Sequence, residues 1–243
     1  MNKEKLQKLF NKTFSKTKKE YFDILKQNLL NEAKTFVVTA NPEAFMIATQ
    51  DDDYMKMLSS EKTSIVPDGI GLIKAGKVLN YNFKERIPGV EISEELLKFA
   101  DQYKKKVYLF GAKKEVLEQL TEKIKREYPN LDLVGSQNGY VTNKDLAFED
   151  VIKKEPDIVL VALGMPYQEK LIYKNLNKFK KGIFVGVGGS FDVLSGNKKR
   201  APKIFIKLNL EWLYRIFKEP WRIKRFYNNN IKFLFEVHKI KNK

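Results

Sequence analysis

Asp68 stands between Pro67 and Gly69, directly after the short apolar run Ser64-Ile65-Val66. A carboxylate in such a turn is held rigidly. The chain has no cysteine and a single histidine, His238, so proton transfer falls to carboxylates, Tyr or Lys, and Asp68 is the first choice for a general base. Pro-Asp-Gly is also a common turn sequence, and turn formation alone would account for it. Four further polar turns offer binding chemistry. Thr39 and Asn41 bring a hydroxyl and an amide suited to sugar or amide recognition, although Asn41 before Pro42 also fits a helix cap. Arg86, ahead of Ile87-Pro88-Gly89, presents a planar guanidinium to a carboxylate or phosphate, or simply to solvent. Gln168 and Glu169 follow Gly164-Met165-Pro166 and either cap a helix or meet a ligand. The last turn, Gly188-Gly189-Ser190, lets the backbone bend sharply and lie close to a ligand. Ser190 fits the cap of a short helix carrying Asp192, whose free N–H groups would suit a diphosphate.

These turns need strands behind them, and the sequence supplies short apolar runs at 36–38, 64–66, 107–111, 131–134, 157–164 and 183–187. Amphipathic or helix-forming stretches lie between them, at 42–58, 70–78, 90–103, 113–128, 145–153 and 167–180, with one or two more helices over 3–34. Strand–helix alternation with short loops predicts an α/β fold. The expected form is an open, mostly parallel, Rossmann-like sheet with helices on both faces. In such sheets the ligand crevice lies outside the carboxyl ends of the strands. The strands end at Asn41, Asp68, Gly111, the Asn138-Gly139-Tyr140 turn, Gly164 and Gly188, so these turns should converge on one rim.

Two tempting motifs are weak. The Gly186-Val187-Gly188-Gly189-Ser190-Phe191 run lacks the third glycine of the dinucleotide fingerprint and falls late in the chain, against NAD binding. Asp51-Asp52-Asp53 contains an Asp-X-Asp, but it lies within a predicted helix and reads as a solvated acidic patch. The start of the chain is charged and amphipathic, unlike a signal peptide. No apolar stretch reaches the roughly eighteen residues of a transmembrane helix. A cytoplasmic enzyme or binding protein is expected.

The net charge is +16, from 46 Lys and Arg against 30 Asp and Glu, and residues 198–243 alone hold 14 Lys and Arg with 3 Glu. Charge concentrated in this way implies an anionic partner surface. Ile204, Leu208, Trp212 and Ile216, then Ile223, Phe226, Ile231 and Phe235, recur every three to five residues with Arg215, Arg222, Lys224 and Arg225 between them. This describes basic amphipathic helices broken at Glu219-Pro220, suited to an anionic membrane interface. A packed helical pair whose aromatics are core is the other reading. Nucleic acid fits the charge but not the long aliphatic residues. The chain is thus expected to divide into an α/β domain over 1–197 and a membrane-associating helical appendage over 198–243.

Taken together, Thr39-Ala40-Asn41-Pro42-Glu43, Pro67-Asp68-Gly69, Arg86-Ile87-Pro88-Gly89, Gly164-Met165-Pro166-Tyr167-Gln168-Glu169, the run from Gly186 to Asp192, Arg200-Ala201-Pro202, Leu210-Glu211-Trp212-Leu213-Tyr214-Arg215 and Glu219-Pro220-Trp221-Arg222 carry a resemblance. From about Thr35 onward the chain resembles the WecG/TagA/CpsF family of bacterial glycosyltransferases. The resemblance implies inverting, metal-independent transfer of N-acetylmannosamine from its UDP donor, with no cofactor. The implied acceptor is N-acetylglucosamine linked through diphosphate to undecaprenol, and the product is the linkage unit of wall teichoic acid. On the same ground Asp68 is the expected base, Thr39 and Asn41 are sugar-pocket residues, and Arg86 and Gln168 are substrate contacts. Gly111, Tyr140, Gly164, Gly188 and Asp192 complete the expected substrate site, with Arg215, Arg222 and Arg225 supplied by the appendage. The expected setting is the inner face of the bacterial cell membrane, with a UDP-sugar and a lipid-linked acceptor as partners, no nucleic acid, and a homo-oligomer left open.

Overall fold

Six strands form one parallel sheet: β1 (Lys34–Ala40), β2 (Thr63–Pro67), β3 (Lys106–Gly111), β4 (Asp132–Gln137), β5 (Ile158–Ala162) and β6 (Gly182–Gly186). Their order is β2-β1-β6-β5-β3-β4, and every pairing is parallel. The central β5 and β6 are buried along their whole length, which explains their unbroken apolar runs. The computed structural model describes residues 2–242; the side chains of Arg222 and Arg225 lie outside the described part.

Helices cover both faces. Against one face lie α1 (Lys3–Lys12), α3 (Pro42–Gln50), α4 (Asp52–Ser59), α5 (Ile70–Val78), α8 (Lys144–Lys154) and α9 (Tyr167–Asn175). Against the other lie α2 (Lys18–Leu30), α6 (Gly89–Tyr103), α7 (Lys114–Glu127) and the short α10 (Ser190–Leu194). A capping box between Thr17 and Glu20 starts α2 and separates it from α1. The single helix predicted over 42–58 is two, because Asp51 caps α4 by accepting from the Tyr54 N–H. The acidic triplet is therefore a helix break, with Asp51 paired to Lys170 and Asp52 to Lys5.

β1 and β6 are neighbours in the sheet, yet β1 feeds α3 on one face and β6 feeds α10 on the other. Diverging connections from adjacent parallel strands open a crevice at their carboxyl ends. It is here that the chain leaves the sheet body, after Gly196.

The segment that follows comprises α11 (Lys203–Lys207), α12 (Glu211–Lys218), α13 (Arg222–Phe226), a π-helical turn (Tyr227–Ile231) and α14 (Lys232–Lys241). Its two ends differ in kind from its middle. Ala201 is buried at one end, and at the other α14 sinks Phe233, Val237 and Ile240 into the core beside α3 and α5. The middle holds a small aromatic cluster of its own, with Trp212 stacked on Phe226 at 4.3 Å between centroids. It leaves Ile204, Leu208, Phe217, Trp221, Ile223 and Tyr227 exposed. Of the predicted apolar stripe, Ile204, Leu208, Ile223 and Phe235 are exposed, while the core contacts of α14 are made by Phe233, Val237 and Ile240. Among the described residues no helix is long and apolar enough to cross a membrane.

Phe233 is fully buried and meets Phe45 edge-on at 6.3 Å. Phe233→Ala should therefore lower unfolding free energy by about 3–5 kcal/mol, measured by denaturant titration. A loss below about 1 kcal/mol would show that α14 contributes little to the core.

Candidate active site

A cleft of about 900 Å³ opens at the carboxyl ends of β1, β2, β5 and β6. Asp68 lines it, held by its own N–H donating to Ala40 O at 2.8 Å. The next loop is fixed to the same strand end, since Ile87 N donates to Pro67 O at 2.7 Å. This backbone bond places Arg86 in the cleft beside Asp68.

Arg86 pairs with Glu211 of α12 at 2.9 Å, and Glu211 also binds Arg215 one turn further on. Glu211 is only 5% exposed. Burial alone would raise its pKa, but Arg215 and Arg86 outweigh that and hold it below the usual carboxylate value. Asp68 moves the other way. Burial pushes it up to about 6, against the pull of Arg86 and Arg215 and of the Gly89 N–H, while Glu211 adds to the rise. Two carboxylates in one cleft are thereby separated in role: Glu211 stays ionised and Asp68 exchanges a proton near neutrality.

The opposite wall is built by a clamp. Gln168 Oε1 accepts from Gly164 N at 3.1 Å and from Gly188 N at 3.0 Å, tying together the turns after β5 and β6. Its Nε2 donates to Glu169 Oε1 at 2.6 Å, which fixes the orientation of the amide. Gly188 has φ +51°, and no atom lies within 4 Å of where a β-carbon would stand, so its backbone is open to the cleft. Ser190 is the first residue of α10 rather than its cap. Its hydroxyl turns back to donate to Val187 O at 2.7 Å, so no side-chain cap is made.

Thr39, Asn41, Asp68, Arg86, Gly164, Gln168, Gly188, Asp192 and Arg215 all line this cleft. Several have structural duties as well. Thr39 Oγ1 donates to Gly186 O at 3.0 Å, and Asn41 Oδ1 caps α3 by accepting from Ala44 N at 3.1 Å. Gln168 is 2% exposed and serves first as the clamp. Two expected residues are placed elsewhere. Gly111, with φ +123°, is pressed against the Ala162 backbone at the β3–β5 pair. Tyr140 is 74% exposed on the loop after β4. Neither is among the lining residues. Strand ends at the β3–β4 side of the sheet are too far along it to share a crevice centred on β1 and β6. Arg222 and Arg225 stand in α13, and their side chains lie outside the described residues.

Glu211 was missed as a site residue. Its signal was local: a carboxylate next to Trp212 and four residues before Arg215, on a helix otherwise basic and apolar. Asn229 and Asn230 also line the cleft and gave no motif. Among the described residues no group of three or more His, Cys, Asp or Glu side chains lies together in a way that could hold a metal ion.

An open parallel sheet with a cleft at its strand ends, lined there by Asp68 and from flanking elements by Arg86 and Arg215, is the layout of an α/β ligand-binding fold. The chain belongs to the WecG/TagA/CpsF family of glycosyl transferases, which it matches over residues 7–243. It is 43% identical over 206 residues to the N-acetylglucosaminyldiphosphoundecaprenol N-acetyl-beta-D-mannosaminyltransferase of Bacillus subtilis strain 168, covering 84% of this chain and 80% of that one. The protein of the same name from Staphylococcus aureus strain MW2 is 40% identical over 212 residues, 86% of this chain and 81% of its own. The chain is a glycosyltransferase.

The Asp68 carboxyl carries a stability signature. Its folded pKa, about 6, is above the ordinary 3.8, so above pH 3.8 the unfolded chain sheds this proton more readily than the folded one. Ionised Asp68 therefore destabilises the fold. Asp68→Asn should melt above the unsubstituted protein at pH 8, with the gap shrinking as pH falls from about 6 to 4. A variant that melts lower at pH 8 would contradict the raised value.

Proposed function

We propose that the chain transfers N-acetylmannosamine from a UDP donor to N-acetylglucosamine carried on a diphosphate lipid, with inversion and without a metal ion. The observation that carries this reading is the placement of Asp68 in one cleft with Arg86 and Arg215, whose charges act on its carboxyl. The printed activity of the relatives from Bacillus subtilis and Staphylococcus aureus supports the sugar and the lipid-linked acceptor.

In this reading Asp68 takes the proton from an acceptor hydroxyl while that oxygen attacks the anomeric carbon. The bond from that carbon to the UDP oxygen breaks on the opposite face, and the charge that develops on the diphosphate is met by protein cations. Arg86 and Arg215 are the cations described beside Asp68. The turn between β6 and α10, at Gly188 and Gly189, lines the same cleft. A pKa near 6 keeps Asp68 ionised at neutral pH while leaving it basic enough to accept a proton. Lys199 and Arg200 also line the cleft, Arg200 in an ion pair with Glu91.

The exposed apolar residues of the segment between α10 and α14 support contact with an anionic bilayer. Deleting everything after Lys199 is a poor test, because it would also strip Phe233, Val237 and Ile240 of α14 from the core. Replacing Phe217, Trp221 and Ile223 by serine leaves the core intact. We expect the triple variant to lose co-flotation with anionic vesicles while keeping its melting temperature. Unchanged flotation would remove the membrane role.

For the chemistry, Asp68→Ala should lower turnover by roughly 100- to 10,000-fold with UDP affinity retained, assayed with UDP-N-acetylmannosamine and a soluble lipid-diphosphate N-acetylglucosamine analogue. In the unsubstituted protein kcat/KM should fall about tenfold per pH unit below pH 6, and a chelator should change nothing. A variant as active as the parent would exclude Asp68 as the base.

A further inference from the structure

The helix that runs from Arg222 to Lys241 has one inward face, and the residues on it recur at helical spacing: Phe226, then Asn229 and Asn230, then Phe233, Val237 and Ile240. Phe226 stacks on Trp212 and Phe233 is fully buried against Phe45. Two amides thus interrupt an otherwise apolar stripe. A polar pair at such positions costs stability unless something binds it. Both amides are half-buried and line the cleft. Neither side chain has a hydrogen-bond partner among the described residues.

The backbone here is also unusual. Tyr227–Ile231 forms a π-helical turn, inserted between two α-helical stretches. Such turns carry poorer hydrogen bonding than α-helix and are found mostly where function requires a local bulge. This one packs against α3 and brings Asn230 Oδ1 over Gly71, where a β-carbon would come within 3.0 Å of it. Gly71 is three residues beyond Asp68, so Asn230 stands near the strand end that carries Asp68, with Asn229 on the wall of the same cleft. An amide offers one acceptor and two donors without charge. That set matches hydroxyls and an acetamido group, whereas the diphosphates are better served by the arginines.

We propose that Asn229 and Asn230 bind the hydroxyl and acetamido groups of the N-acetylhexosamine ring held at Asp68, and so contribute to sugar specificity. This rests on the transfer reading above. The ring could be that of the donor or that of the acceptor, and kinetics separate the two. Asn229→Ala, Asn230→Ala and the double variant are compared with the parent for UDP affinity by calorimetry and for transfer at varied donor and varied acceptor. Alanine favours helix more than asparagine, so folding should survive, and melting curves check it. Serine at both positions serves as a second variant that keeps a polar group too short to span the gap.

Each single substitution should lower kcat/KM roughly threefold to tenfold, and the double variant more, with UDP affinity unchanged. A loss confined to the donor series assigns the amides to the donor ring, and one confined to the acceptor series assigns them to the acceptor ring. Alanine and serine variants that transfer as the parent does would overturn the proposal while leaving the transfer reading intact. Equal loss of affinity for UDP and for UDP-sugar would also overturn it, since the amides would then not be reading the sugar. A parent protein that transfers nothing would overturn the transfer reading, and this proposal with it.

Discussion

The Arg86–Glu211–Arg215 array is the contact on which the cleft depends. It joins a loop fixed to the end of β2 with a helix more than a hundred residues later in the chain. Glu211 gives up its hydration almost entirely, and ion pairs buried to that degree hold only where the geometry is good and each charge is answered. Here two guanidinium groups answer one carboxylate, so the array carries a net positive charge. That excess draws Asp68 toward ionisation even as burial opposes it. Without Glu211 the two cations would repel each other and lose their fixed separation. Without the arginines Glu211 would be an unanswered buried charge. The same three groups therefore line the cleft together and act on the Asp68 carboxyl.

Around this array the scaffold is conservative in its physics. The middle of the parallel sheet is filled largely by β-branched and aromatic residues, and the cleft lies outside its carboxyl ends. Gln168 shows how closely structure and site are merged. Its amide is spent on two backbone N–H groups and one carboxylate, which leaves it little to offer a ligand. Glu169, behind it, is fully buried, and burial pushes its pKa to about 7 despite the hydrogen bond from Gln168. It acts as a fixed acceptor for the clamp, away from the lining of the cleft.

Much of this was legible in the sequence because it rests on local signals. Apolar runs bounded by Gly, Pro and Asn gave every strand, and the rule that open parallel sheets bind ligands at their carboxyl ends picked out Asp68, Arg86 and Gly188. What local signals do not carry is strand order. Gly111 and Tyr140 end strands as Asp68 does, but β3 and β4 lie at the far side of the sheet, and only the topology says so. The break at Asp51 was hidden by good helical residues on both sides of it. The core contacts of the tail were less legible. The predicted stripe marks exposed residues such as Ile223 and Phe235, whereas α14 packs through Phe233, Val237 and Ile240, beyond a π-helical turn that shifts the repeat. Glu211 carries a local signal in its spacing to Arg215, but its second partner, Arg86, lies 125 residues away and only the fold brings it there.

The burial of α14 has a consequence for how Arg215 reaches its place. Because Ala201 and Phe233 are both held in the body, the intervening stretch is a loop closed at both ends, and its excursions are bounded by its own length. A group on a closed loop meets its target at an effective concentration set by geometry, in the way of an intramolecular reaction. The guanidinium is therefore a tethered group, presented to Glu211 and to the cleft by the chain itself at a local concentration that dilution of the protein does not alter.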